Sequence, residues 1–351
     1  MFVKESRIKP DGRQIHFYAS KPFDMPHDMP SPDVQAAEST AHLRWHPLRM
    51  EWVAYASHRQ NRTFLPKKSP LAVTTLGEEP TELPPGDYAI AVFENLFPTL
   101  SQHAPLPPVM EIPTAASKGV CEVVVFTQDP LTHLGALSIQ HIALLLQVWA
   151  DRSKAHAAAG CKYVLAFENR GAEVGVTLHH PHGQIYAYPF IPPIPAQEFA
   201  AQRQYTGGLL EDMITYELTG PRLLHARPEA IAWVPICARY PYEVWVAPQK
   251  AYGHLWQMPE SAIMDLAATL KHVLTAYDRL WKKPFPYLMT LHEAPYDSEH
   301  PFDHLHIEFS PPYRSEGKLK FLAGTELGAG MFVNDSLPEN KAQELREAMY
   351  G

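Results

Sequence analysis

Residues 177 to 190 read TLHHPHGQIYAYPF and set His180, His182 and Gln184 at alternate positions of a β-like segment. Alternate side chains of a strand share a face, so this spacing predicts that all three point the same way. A neutral imidazole, with an ordinary pKa near 6.5, can attack an electrophilic phosphorus without a separate base. That makes a histidine in this segment a candidate nucleophile. Pro181 restrains the backbone between the two histidines, and Gly183 lets a ligand approach it closely. An isolated H-x-H is equally the pattern of a metal-binding pair or of two core histidines.

The same order of features occurs twice. CEVVVFTQDPLTHL from Cys121, a long helical pattern, KYVLAFENRG from Lys162 and then HPHGQ form the first copy. YEVWVAPQKAYGHL from Tyr242, a second helical pattern, PYLMTLHEAP from Pro286 and FDHLHIEFSPP from Phe302 form the other. Glu122 and Glu243, Gln128 and Gln249, and His133 and His254 each lie 121 residues apart. Past the helix, Tyr163 and Tyr287, His180 and His304, and His182 and His306 lie 124 apart. So long a period marks a duplicated domain rather than a solenoid.

Strands are expected near 51 to 57, 88 to 93, 120 to 127, 162 to 168, 184 to 190, 231 to 236, 242 to 247, 287 to 292 and 304 to 309. Helices are expected near 137 to 158, 260 to 281 and 338 to 349. Ile263, Leu266, Leu270, Val273, Leu274, Tyr277 and Leu280 recur at helical spacing, one apolar stripe for a sheet to cover. The result is an α+β fold in which long helices pack on largely antiparallel sheet. Residues 190 to 230 read as a linker. Prolines, 35 in all and dense in 10 to 35, 78 to 113 and 181 to 195, suggest long ordered loops.

A chain of 351 residues with 46% hydrophobic content can bury a sizeable core. The first residues hold no apolar signal segment, and IALLLQVWA is too short for a membrane span. Cys121, Cys161 and Cys237 form no C-x-x-C pair, which points to a reducing cytoplasm. The net charge of −8 argues against a nucleic-acid partner. Neither G-x-x-x-x-G-K-[ST] nor G-x-G-x-x-G occurs, so any phosphate must be held by another device.

FENRGAEVGVTLHHPHGQIYAYPF resembles the FEN-[KR]-G and HPHGQ motifs of the galactose-1-phosphate uridylyltransferase family, a branch of the histidine-triad superfamily. EWVAYASHRQNRTF, VFENLFPTL, LHEAP, DHLHIEF and KLKFLAGTELGAG are also similar, in the family's order and over nearly the whole chain. The resemblance implies two tandem histidine-triad-like domains, each a mostly antiparallel half-barrel packed with helices, here 1–195 and 196–351. It further implies a homodimer and ping-pong exchange of UMP between UDP-glucose and galactose 1-phosphate.

In that scheme His182 is the nucleophile. Gln184 stands where hydrolytic relatives have a third histidine, and an amide can bond a phosphoryl oxygen but cannot shuttle a proton. The family's pattern assigns Arg59 and Arg62 to the diphosphate, and Phe93, Asn95 and Phe97 to the nucleoside. It assigns Asn169, Gly175 and Thr177 to phosphate, and Lys320 and Glu326 to the sugar across the dimer interface. Glu198, His292, His304 and His306 match a site for zinc or iron. A further zinc site, built in many members on C-x-x-C and an upstream histidine, is expected to be absent: FLPKKSPLAV has no cysteine, and Pro130 takes the histidine's place. The usual N-D pair reads Asn95-Leu96, which leaves uridine against adenine open. A nucleotide-sugar phosphorylase, adenylyltransferase or hydrolase using the same histidine is the alternative, and a non-enzymatic metal-binding protein a third reading.

Overall fold

A computed structural model describes residues 2–25, 28–32, 40–61, 68–75, 77–296 and 300–350. The chain begins with the hairpin β1 (Val3–Ile8) and β2 (Gln14–Ala19), followed by β3 (His42–His46), β4 (Glu51–Tyr55), β5 (Ile90–Glu94) and β6 (Thr114–Ala116). The first repeat unit is β7 (Val120–Val125), α1 (Ile139–Ala158), β8 (Tyr163–Arg170) and β9 (His182–Tyr188). Then come α2 (Pro193–Gln204), α3 (Leu209–Glu217), β10 (Leu223–Arg227) and β11 (Ala230–Trp233). The second unit is β12 (Val244–Pro248), α4 (Glu260–Leu280), β13 (Tyr287–His292) and β14 (His306–Ser310), with β15 (Tyr313–Ser315), β16 (Lys318–Leu319) and α5 (Pro338–Tyr350) after it.

Eleven strands form one sheet in the order β1-β2-β5-β7-β9-β8-β13-β14-β12-β11-β10. Its centre is the antiparallel pairing of β8 with β13, in which Phe167 faces Thr290 and Asn169 faces Leu288. From that seam outward the order is β8, β9, β7 on one side and β13, β14, β12 on the other, so equivalent strands of the two units lie equally far from it. The expected antiparallel α+β architecture is the one observed, with both units joined in a continuous sheet.

The duplication reaches individual hydrogen bonds. Nε2 of His180 donates to the Thr127 carbonyl at 2.7 Å, and Nε2 of His304 donates to the Pro248 carbonyl at 2.8 Å. Gln128 donates to the carbonyls of Gly86 and Tyr88, and its counterpart Gln249 to that of Arg227. These bonds satisfy backbone groups at matching bends, where an unpaired carbonyl would cost stability.

Helices α1 and α4 pack on one face of the sheet and on each other, and α5 packs on α4. Ser138 caps α1 by accepting the His141 N–H at 3.1 Å. Leu146 and Trp149 of α1 and Leu266, Leu270 and Tyr277 of α4 meet Val124, Ala166, Ile185, Met289 and Ile307 of the sheet in one core. Because side chains alternate, Gln184, Tyr186, Phe167 and Thr290 point to the other face. The helix layer thus spends one face of the sheet on stability and leaves the other for chemistry. There α3 covers part of the second unit, with Leu210 and Ile214 on Ile231 and Trp233.

Three sequence expectations change. Residues 190 to 230 are not a linker but α2, α3 and β10. Pro193 and Pro195 stand in the first turn of α2, where no N–H is needed for an intrahelical bond, so they start a helix instead of preventing one. The proline-dense start hides the β1–β2 hairpin, whose bend is Pro10-Asp11-Gly12 with Gly12 at φ 87°. His180 precedes β9 and is buried, and it does not line the cleft into which His182 and Gln184 open.

Since β8 and β13 make one sheet and α1 and α4 one core, the two units should unfold together. Leu270→Ala is expected to cost about 2 to 5 kcal/mol and to keep a single urea transition. Far-ultraviolet circular dichroism and tryptophan fluorescence followed together check this, and two separated transitions would contradict it.

Candidate active site

The first strand residue of β9 is His182, whose Nδ1 lies 2.7 Å from the His180 carbonyl oxygen. A carbonyl only accepts, so Nδ1 carries the proton and Nε2 keeps its lone pair. Burial pushes the His182 pKa down against the bond to His180, which favours the neutral ring. Gly183 has no room for a side chain: a Cβ there would meet the Phe167 carbonyl at 2.7 Å and the Phe126 ring at 2.8 Å. The glycine lets β9 sit tightly between its neighbours and so sets the height of His182.

His182 opens into a cleft of about 470 Å³ lined also by Arg59, Asn169, Gly175, Thr177, Gln184 and Tyr186. Arg59, from the short helical turn Ser57–Asn61, is held by the Phe97 carbonyl at 2.9 Å and the Thr99 hydroxyl at 2.8 Å. Asn169 is the last residue but one of β8, and Gly175 closes the following turn at φ 78°, a left-handed conformation that glycine adopts without strain. The loop between them is tied to the second unit by Arg170 on Asp278 at 2.8 Å and by the Tyr313 hydroxyl, which donates to Glu173 at 2.9 Å. Arginine, amides and hydroxyls around an imidazole make a setting for a phosphorylated ligand.

Other expected positions fall elsewhere. Phe93 is a core residue, 2% exposed, with the cations of Lys9 and Arg13 within 6 Å of its ring, so it does not line this cleft. The register of β5 turns it inward against Ile15, its β2 partner. Asn95 and Leu96 line a second cleft of about 460 Å³ with Gln102, His103 and Cys121. Asn95 accepts the Phe97 N–H at 2.8 Å. Lys320 and Glu326 form a 3.5 Å ion pair in a third cleft of about 660 Å³, and neither lines the cleft of His182. Arg62 lies outside the described residues.

On the same face, across the seam, ligand atoms of Glu198, His292 and His306 lie within 4.8 Å of one another. Glu198 comes from α2, while His292 ends β13 and His306 begins β14, directly opposite each other. His304 is not in that group; its Nε2 is fixed on Pro248, and its backbone N–H donates to Gln202 at 2.9 Å. Burial pushes its pKa down to about 4, so the ring stays neutral. Nδ1 of His292, His304 and His306 and Oε2 of Glu198 are all buried with no hydrogen-bond partner among the described residues. Unpaired imidazole lone pairs beside a carboxylate fit zinc or iron.

Sequence reasoning missed Glu308, whose carboxylate lies 3.9 Å from His292 Nε2 and 3.7 Å from His306 Nε2. The repeat register holds the signal, since Glu308 is the counterpart of Gln184 as His306 is of His182. It also missed Tyr186 and Tyr188, which continue the alternation from His182, and Leu288 and Thr290, which β13 contributes to the cleft from the second unit.

Comparison with known proteins matches two family models, Galactose-1-phosphate uridyl transferase, N-terminal domain, over residues 32–192 and the corresponding C-terminal domain over 197–350. The chain is 36% identical to the galactose-1-phosphate uridylyltransferase of Thermotoga maritima, over 87% of this chain and 98% of that one. It is 31% identical to that of Streptomyces lividans, over 98% and 97%. A solved structure titled "Structure of uridylyltransferase" superposes with a TM-score of 0.79 at 29% identity, covering 88% of this chain and 98% of the other. An ADP-glucose phosphorylase from Arabidopsis thaliana shares the fold, at TM-score 0.67 and 22% identity over 87% of this chain and 97% of that one. With both halves matched in order and relatives aligned end to end, the chain belongs to the galactose-1-phosphate uridylyltransferase family.

Proposed function

We propose that this protein exchanges UMP between UDP-glucose and galactose 1-phosphate through a covalent uridylyl group on Nε2 of His182. The observation that carries the reading is the His182 bond to its neighbouring carbonyl, which leaves a neutral nitrogen facing a polar cleft. Nε2 attacks the α-phosphorus of UDP-glucose. An N–P bond forms, the bond to the bridging oxygen breaks, and glucose 1-phosphate leaves with that oxygen. A phosphate oxygen of galactose 1-phosphate then attacks the same phosphorus, the N–P bond breaks, and UDP-galactose leaves with His182 restored.

As the N–P bond forms, the ring becomes positive, and the Nδ1–H bond to His180 strengthens on the charged ring. Gln184 donates its amide N–H to a nonbridging oxygen. Two phosphates exchange in this scheme, so little acid catalysis is needed, and an amide that cannot shuttle protons suits it. Arg59, Arg62, Asn169, Gly175 and Thr177 bind the diphosphate. Asn95, from the neighbouring cleft, and Phe97 bind the nucleoside. Lys320 and Glu326 reach the sugar bound by a second copy in a homodimer, a role that would explain why neither lines the cleft of His182.

Glu198, His292 and His306 would hold zinc or iron, with His304 a fourth donor through its unpaired Nδ1, and a cation there would fix these side chains rather than take part in the displacement. A boundary at 195 and 196 divides the nucleophile-bearing domain from the metal-bearing one. The free cysteines support work in a reducing cytoplasm, and no described helix is long and apolar enough to cross a membrane. Leu96 in place of an acid favours a second reading, an adenylyl-transferring phosphorylase that uses the same histidine.

Labelled glucose 1-phosphate should exchange into UDP-glucose with no second acceptor present, and His182→Ala should lose roughly 10³-fold or more of that rate. Exchange into ADP-glucose alone would favour the second reading. Because burial lowers the His182 pKa, its nucleophilic form persists below the ordinary histidine range. The acid limb of kcat/KM for UDP-glucose should therefore fall below about pH 6.5. A limb at clearly higher pH would contradict a neutral, desolvated His182.

Elemental analysis of the purified protein should find about one divalent metal per chain, since one donor set is complete. Two tightly held zinc ions per chain would show that the region near Pro130 binds metal after all.

A further inference from the structure

Thr290 belongs to the second unit yet lines the cleft of the first. It faces Phe167 across the seam, and Phe167 faces Gln184, so Thr290 and Gln184 share one cross-strand row about 10 Å apart. Its Oγ1 lies 3.0 Å from Nε2 of His292. On the far side of that ring, Nδ1 lies 2.8 Å from Oε2 of Glu198. Neither of those two atoms has a hydrogen-bond partner among the described residues. Such close approach without a bond is the arrangement of two ligands turned toward one cation.

A nitrogen that binds a cation must present its lone pair, so the proton of neutral His292 resides on Nε2. Nε2–H can only donate, and Thr290 Oγ1 must accept. The threonine's own proton is then left over, and it has no other protein partner among the described residues. Without a cation the ring can take the other tautomer, giving its Nδ1 proton to Glu198 and accepting from Thr290 at Nε2. The hydroxyl then faces the cleft with lone pairs only, the wrong polarity for a phosphoryl oxygen.

We infer that Thr290 is a substrate-contacting residue whose hydroxyl donates to a phosphoryl oxygen of the bound nucleotide sugar, with its polarity fixed by the cation on Glu198, His292 and His306. The choice of ligand rests on the uridylyl-transfer reading above. The metal cluster, which takes no part in the displacement, thereby tunes the affinity of the cleft through one side chain.

Calorimetric titration of UDP-glucose into His182→Asn protein, which binds without turnover, tests this in metal-loaded and chelator-stripped forms. The loaded protein should bind about tenfold tighter than the stripped one. Adding Thr290→Val should remove that advantage and the dependence on metal, while Thr290→Ser keeps both and metal content stays at the parent's level in each. The loaded-state comparison of valine with serine decides alone if stripping unfolds the protein. Equal affinity in the loaded parent and Thr290→Val, or metal dependence that survives the valine, overturns the inference. Loss of metal from Thr290→Val also overturns it, in favour of a role confined to supporting His292. No binding of UDP-glucose by the loaded parent overturns the functional reading and the inference with it.

Discussion

A single antiparallel pairing, β8 with β13, joins eleven strands into one sheet and gives the functional side chains of both units a common face. The consequence follows from the two-residue period of a strand. Once α1 and α4 take the face that presents Ala166, Ile185, Met289 and Ile307, the residues between them must face away. His182, Gln184, Thr290 and His292 are therefore placed by packing on the opposite side. A register slip of one residue would turn each of them into the helix layer.

The two units show what one scaffold does with different side chains at equivalent places. In the first, His182 is followed two residues later by Gln184; in the second, His306 is followed by Glu308. A neutral amide can approach an anionic phosphoryl group and donate to it, whereas a carboxylate there would repel it. Beside His292 and His306 that carboxylate instead suits a cation. The anchoring bonds behind both sites, His180 to Thr127 and His304 to Pro248, are the same. The scaffold is duplicated, and in the proposed reading the charge at one position separates a site for phosphate from a site for metal.

Much of this was legible in the sequence because it rests on periodicity and repetition. The helix stripe of α4, the duplicated order of elements and the histidines on strands β9 and β14 all follow from spacing. What escaped depends on contacts between distant segments. Prolines that begin α2 looked like loop residues until the helix supplied a first turn to hold them. Thr290 and Glu308 were hidden because their importance arises between strands, Thr290 across the seam where β13 pairs with β8 and Glu308 where β14 pairs with β13.

The central claim is that His182 becomes covalently uridylylated. Intact-mass spectrometry of the protein mixed with UDP-glucose measures it most directly. The account predicts a gain of one uridylyl group per chain, absent in His182→Ala and discharged by added galactose 1-phosphate. Transfer that proceeds at full rate while the protein mass stays unchanged, or an adduct that persists in His182→Ala, would contradict it.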